Sequence, residues 1–249
     1  VAVPATRFVF MWGMAVICMS VLSEFVYAQG QTIWNTGGRV LCQVTNDQTW
    51  PEIVDLGDGT SVVVWQDKRT DVGNIYAQRI SLTSGATLWA ENGVAVCTAS
   101  EEQSYPIAIS AGSGSSIIVW QDKRAGNFDI YAQKLSVNGV TQWATNGVAV
   151  STATGDQGGE QWQVSVATDG VGGAIIVWQD KRAGISNADI YAQRVGPGGE
   201  RLWADDGVII STASGNQVAP VLVSDGASGA IIVWQDYRAG ALNADIYAH

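Results

Sequence analysis

The chain has 249 residues, of which 14% are charged, and a formal net charge of -10 at neutral pH. An acidic surface disfavours nucleic acid and anionic membrane, because both are held by clustered Lys and Arg. The single histidine is the last residue, His249, which excludes Ser-His-Asp, Cys-His and His-based metal chemistry.

The first 28 residues read as a secretory signal peptide. Arg7 gives a positive start, Phe8 to Leu22 is largely apolar, and Val26-Tyr27-Ala28 places small residues before Gln29. The apolar run is short of the ~20 residues of a bilayer span. The expected division is therefore 1–28 signal peptide and 29–249 mature domain, secreted, periplasmic or on the cell surface, with no membrane contact once the signal is removed. The mature part keeps 12 basic and 22 acidic side chains (13 less Arg7, 23 less Glu24), so its net charge is also -10.

From residue 32 onward the chain repeats itself every ~55 residues, a period that marks a radial or stacked array. Trp65-Gln66-Asp67, Trp120-Gln121-Asp122, Trp178-Gln179-Asp180 and Trp234-Gln235-Asp236 are each followed by an arginine: Arg69, Arg124, Arg182 and Arg238. Each unit holds four β-like segments. The first is expected at Pro51–Val54, Pro106–Ile109, Val164–Ala167 and Pro220–Val223. A Gly/Asp/Ser turn follows, then an apolar run such as Ile117-Ile118-Val119-Trp120, greasy enough for a strand covered on both faces. The third segment is Asp129-Ile130-Tyr131-Ala132-Gln133 and its siblings. The fourth starts at Trp89, Trp143 or Trp203 and ends at Cys97, Ser151 or Ser211. No 3.6-residue apolar pattern follows residue 28.

Four-stranded antiparallel units repeated head to tail predict an all-β fold, a β-propeller of four blades that is either a ring in itself or part of a longer propeller. A lone fourth segment at 32–42 opens the array and a third segment closes it, so the strand at 32–42 is expected to pair with the C-terminal strands. Cys42 and Cys97 fall at equivalent places and are expected to be buried thiols. Neighbouring-blade equivalents lie too far apart for a disulfide. Asp122-Lys123-Arg124 running to Asp129-Ile130-Tyr131 resembles the TolB-like propeller repeats. The fuller Trp-Gln-Asp to Asp-Ile-Tyr-Ala-Gln-Arg phrase is similar to repeats of large secreted bacterial surface proteins. That resemblance covers residues 32–249 and implies an architecture common to many functions.

The residues common to all units are expected to serve packing: Trp65, Asp67, Arg69, Trp120, Asp122, Arg124, Trp178, Asp180, Arg182, Trp234, Asp236 and Arg238. Each arginine can pair with the aspartate two residues before it, on the same strand face, or with Asp129, Asp189 or Asp245 on the next strand. Gln48, Gln103, Gln161 and Gln217 recur 17 residues before the tryptophan, either to satisfy backbone groups or to line a polar channel. Ligand binding is expected where the symmetry breaks, at Trp50, Tyr105, Trp162, Glu160 and Tyr237. The expected function is a non-enzymatic binding module for a protein or carbohydrate, with no cofactor and no metal. The alternatives are a hydrolase-like propeller using loop carboxylates such as Glu101, Glu102 and Glu160, or a structural spacer within a larger surface protein.

Overall fold

The computed structural model describes residues 37–158 and 163–249. The expected signal peptide at 1–28, Trp34, and Glu160, Gln161 and Trp162 of the third repeat lie outside the described residues. The chain divides into Val1–Arg39 and Val40–His249, and the fold described here is that of the second unit.

Each repeat folds into one antiparallel sheet whose strands lie in sequence order, and no helix occurs among the described residues. Blade 1 is β1 (Gln48–Asp55), β2 (Thr60–Thr70), β3 (Val72–Ser81) and β4 (Val94–Cys97). Blade 2 is β5 (Gln103–Gly112), β6 (Ser115–Asp122), β7 (Asp129–Leu135) and β8 (Val148–Ser151). Blade 3 is β9 (Val164–Thr168), β10 (Ala174–Asp180), β11 (Asp189–Val195) and β12 (Val208–Ser211). Blade 4 has three strands among the described residues, β13 (Gln217–Ser224), β14 (Ala230–Asp236) and β15 (Asp245–Ala248). The chain is therefore an all-β propeller of four antiparallel blades.

The apolar second strands explain the stacking. Alternate residues of β6 point to opposite faces. Ile118 and Trp120 pack on Val62, Val64 and Ile75 of blade 1, while Ile117 and Val119 pack on Ile176 and Trp178 of blade 3. Ile175 and Val177 repeat the arrangement against Ile232 and Trp234 of blade 4. Each of these tryptophans is thus wedged against the preceding blade. A buried indole removes ~150–250 Å² from water. The first strands lie side by side, β1 along β5, β5 along β9 and β9 along β13.

The first strands begin about three residues earlier than their prolines predict, except in blade 3. A bulge carries the strand across the proline. Pairing shifts between Thr49 and Glu52, Ser104 and Ile107, and Val218 and Val221. At these bulges Trp50 (φ 53°), Tyr105 (φ 50°) and Ala219 (φ 51°) adopt the left-handed conformation directly before Pro51, Pro106 and Pro220. Proline has no N–H to give the ladder, so it fits where pairing is already broken. Blade 3 has no proline at this place, and β9 pairs with β10 without a shift.

Ring closure by residues 32–42 is not made among the described residues. Residues 37–47 form no strand, and β15 pairs with β14 alone. Cys42 instead stands to blade 1 as Cys97 stands to blade 2. Arg69 Nη2 donates to Cys42 Sγ at 3.4 Å, and Arg124 Nη2 donates to Cys97 Sγ at 3.3 Å. Both cysteines are free thiols. Cys97 is buried, whereas Cys42 is half-buried and departs from the expected burial.

Candidate functional site

The Trp-Gln-Asp-x-Arg phrase forms one closed network in every blade. In blade 2 the indole N–H of Trp120 donates to Asp122 Oδ2 at 2.8 Å. The backbone N–H and Nε of Arg124 donate to Asp122 Oδ1 at 3.0 and 2.8 Å, and Nη2 donates to Oδ2 at 2.5 Å. The Arg124 guanidinium lies over the Tyr131 ring, and that ring stacks on Trp120 with centroids 6.3 Å apart. Blades 1, 3 and 4 repeat this through Asp67–Arg69, Asp180–Arg182 and Asp236–Arg238. The arginine therefore pairs on its own strand. Asp129 on the next strand takes its bond from Asn127 Nδ2 at 2.8 Å. The network pins the turn after each second strand.

The recurring glutamine is also a backbone clamp, and the structure corrects its identity in blade 3. Gln103 Nε2 donates to the carbonyls of Ser100 and Glu101, and Gln217 Nε2 to those of Ala213 and Gly215. In blade 3 the donor is Gln157, to Ala153 and Gly155, while Gln161 lies outside the described residues. Gln157 bridges to Asp180 as Gln103 pairs with Asp122. The four extra residues therefore come after the glutamine. A count forward from the outer strand finds it, since Gln48, Gln103, Gln157 and Gln217 each lie six residues after Cys42, Cys97, Ser151 and Ser211.

Symmetry breaks where the inner strands converge. A cavity of 350 Å³ is lined from all four, by Glu52, Ile107, Val164, Ser165, Pro220 and Val221 among others. Beside it, Trp50, Glu52, Tyr105, Ile107, Gln121 and Val164 line a smaller recess. Trp50 and Tyr105 meet there with ring centroids 4.9 Å apart and planes tilted by 56°. The bulge turns them out of the strand alternation, and Trp50 stays exposed. Glu52 is the residue that sequence reading missed. It comes directly after Pro51, where Ile107 and Val221 come after Pro106 and Pro220, so blade 1 presents a carboxylate where blades 2 and 4 present hydrocarbon.

Glu160 and Trp162 lie outside the described residues, and the remaining expected site residues do not line this cavity. Tyr237 lines a separate 420 Å³ pocket with Ser186, Asn216 and Val218, at the junction of blades 3 and 4. Glu101 is exposed in the loop before β5, at φ 62°. Glu102 is half-buried and accepts from Gln66 Nε2 at 3.2 Å. Asp205 is exposed and pairs with Arg201 at 3.0 Å. The run Asp55 to Gly59 is the hairpin turn between β1 and β2, closed by the Leu56 N–H on the Thr60 carbonyl at 3.1 Å. Among the described residues, no group of three or more His, Cys, Asp or Glu is placed to hold a metal ion.

Titration follows the networks. Arg238 beside Asp236 holds that carboxyl down at about 2. Asp129 goes the other way: burial pushes it up to about 6, and nearby Asp122 adds to the effect. Asp189 in blade 3 is raised for the same reasons, burial first and Asp180 second. Burial pushes the Cys97 thiol up to about 11.

No protein-family model and no curated protein matches the chain. Solved structures do. A glycosyl hydrolase from Bacteroides ovatus is similar at 10% identity and a TM-score of 0.43, over 77% of this chain and 61% of that one. A member of the GH130 family of mannoside phosphorylases, described with glycoside hydrolases that target β-1,2 mannosidic linkages, is similar at 11% identity and a TM-score of 0.44, over 82% and 66%. An endo-arabinase from Bacteroides thetaiotaomicron is similar at 12% identity and a TM-score of 0.44, over 82% and 75%. The chain thus spans just under two thirds of the first two, and the likeness is one of fold. The expectation of a non-enzymatic binding module is corrected here. The solved structures that this chain is similar to are described as glycoside hydrolases and mannoside phosphorylases and not as binding modules.

Proposed function

We propose that the chain is a carbohydrate-active propeller of hydrolase type, exported from the cytoplasm, with a saccharide seated against Trp50 and Tyr105 at the axial cavity. The observation that carries this reading is Glu52. It is a carboxylate on the innermost strand of blade 1, in a cavity whose other inner-strand lining is apolar or hydroxyl. Aromatic faces suit the C–H faces of a sugar ring, and a carboxyl beside them can give a proton to a glycosidic oxygen.

Glycoside cleavage uses two carboxylates flanking the bond. The strands β5, β9 and β13 carry no Asp or Glu. A second carboxylate therefore comes from outside these strands. In this arrangement Glu52 protonates the leaving oxygen, and the second carboxylate activates water or stabilises the charge that develops on the sugar.

The test is release of reducing sugar, or of a chromogenic aglycone, from a panel of oligosaccharides and aryl glycosides. Glu52→Gln should lower kcat by about 10²-fold or more, the range of a lost general acid. Its urea midpoint should stay unchanged. A wild-type chain that is folded and releases nothing, or a Glu52→Gln chain as active as wild type, would overturn the assignment.

A further inference from the structure

The recess beside the axial cavity combines two aromatic rings with a carboxylate that has no counter-charge. Its walls come from three consecutive blades: Trp50 and Glu52 from blade 1, Tyr105 and Gln121 from blade 2, and Val164 from blade 3. Blade 2 is packed on both faces, against blade 1 on one side and blade 3 on the other. The rings of Trp50 and Tyr105, inclined at 56° with centroids 4.9 Å apart, form a corner. Both residues hold left-handed backbone directly before a proline, which fixes where the two side chains leave the chain. A corner built in advance loses little freedom when a ligand arrives.

Glu52 makes no hydrogen bond or ion pair among the described residues. No Lys, Arg or His lines the recess or the axial cavity. Carboxylates drawn away from water are ordinarily paired, so this charge is left for a ligand to answer. The recess holds 40 Å³, on the order of three water-sized groups. That admits a compact head group and not a whole sugar ring. The net charge of -10 adds a long-range field that draws cations toward the chain.

We propose that this recess is a binding site for a compact alkylammonium group. Aromatic faces carry the negative part of the ring quadrupole, which attracts a cation lying within about 6 Å of the centroid. Glu52 supplies the full opposite charge beside them. A cation held there keeps Glu52 ionised, since a neighbouring opposite charge favours the charged form. An amine ligand therefore opposes proton donation by Glu52 and competes with a saccharide at the axial cavity. The site itself stands without that activity, because its ligand is recognised by charge and shape and no bond is made or broken.

The experiment is an NMR titration of the full chain with choline and with its dimethylbutanol isostere, in which carbon replaces the quaternary nitrogen. Choline should bind about tenfold more tightly or better, with its methyl signal moved upfield by the ring currents of Trp50 and Tyr105. Glu52→Gln should weaken choline about fivefold or more and leave the isostere unchanged. Equal affinities for the two probes, or no upfield movement, would overturn the proposal, and this comparison needs no variant to fold. So would a Glu52→Gln chain with an unchanged urea midpoint that binds choline as tightly as wild type. A chain that discriminates the two probes but cleaves no glycoside keeps the cation site and loses the hydrolase assignment.

Discussion

Arg124 lies with its guanidinium carbon 3.9 Å from the centroid of the Tyr131 ring while donating to both oxygens of Asp122. One side chain thereby joins the second strand, the third strand and, through the Asn146 carbonyl, the turn before the fourth. Asp122 has no exposed surface, so its charge is tolerated only because Trp120 and Arg124 supply donors to both oxygens. Asp122→Ala should destabilise the chain by about 3–5 kcal/mol, the cost of breaking a buried pair by removing one partner. Urea unfolding monitored by tryptophan fluorescence measures it. Asp236→Ala should cost clearly less, because its partner Arg238 is more exposed than Arg124.

The two kinds of aspartate predict opposite responses to pH. Asp129 has its folded pKa raised to about 6, above the ordinary 3.8, so the folded state holds the proton more tightly than the unfolded chain. The stability this confers is complete below pH 3.8 and is lost as pH rises through 6. Asp129→Asn should therefore stabilise the protein at pH 7.5, on the order of 2 kcal/mol, with the gain vanishing near pH 4. Blade 1 already uses this solution, with Asn74 opposite Asp67 where blade 2 sets Asp129 opposite Asp122. Asp236, lowered to about 2, has the reverse sign. Its contribution is present above pH 3.8 and disappears as pH falls through 2. Thermal melts of wild type, Asp129→Asn and Asp236→Asn from about pH 1.5 to 8 resolve both.

Gly147 sits at φ +88° under the Trp120 ring, and a Cβ there would meet the indole and lie 2.8 Å from the Ala132 carbonyl. Gly147→Ala should cost more than about 2 kcal/mol, from strain and overpacking together. Gly57, also at positive φ but with open space around it, isolates the backbone part: Gly57→Ala should cost about 1 kcal/mol. Equal losses in denaturant titrations would show that contact with the indole is not what requires glycine at 147.

The thiols should differ in reactivity. Thiolate is the attacking form, and Cys97 is both buried and raised to about 11, whereas Cys42 is half-buried. Alkylation of the native chain at pH 8, with peptide mass spectrometry as the readout, should label Cys42 at least tenfold faster than Cys97.

Trp50 is expected to matter for the saccharide and not for the fold. Its ring is exposed and its backbone occupies a region unfavourable to any side chain. Trp50→Gly should change stability by no more than about 1 kcal/mol, since relief of the left-handed backbone offsets the lost contact with Tyr105. Its KM for the sugar released in the turnover assay should rise about tenfold. A large drop in the urea midpoint would instead place Trp50 among the structural residues.

The fold is legible in the sequence because its signals are periodic. Four tryptophan motifs, the apolar second strands and the Asp-Ile-Tyr segments report the same need four times, and they place β2, β6, β10 and β14 directly. The features that escape a sequence reading are carried by single departures. The early start of β1, β5 and β13 depends on a bulge that places Trp50, Tyr105 and Ala219 at positive φ, and proline alone does not announce it. Counting backward from the tryptophan selects Gln161 over Gln157, because it places the extra residues on the wrong side. Glu52 is legible only by comparing the residue after each proline, and a one-residue difference carries no periodic signal. Ring closure rests on counting strands, and a strand count does not say whether residues 37–42 pair; they form no strand.

The arginine clasp has a bearing on how the molecule comes apart. Cys97 of blade 1 meets Asp122 and Arg124 of blade 2, so a sheet's outermost segment is fastened to the sheet that comes after it. Neighbours are thereby coupled more tightly than distant units, and loss of structure should travel sheet by sheet. Amide exchange should accordingly differ between blades and be slowest in β6, which is packed between blades 1 and 3.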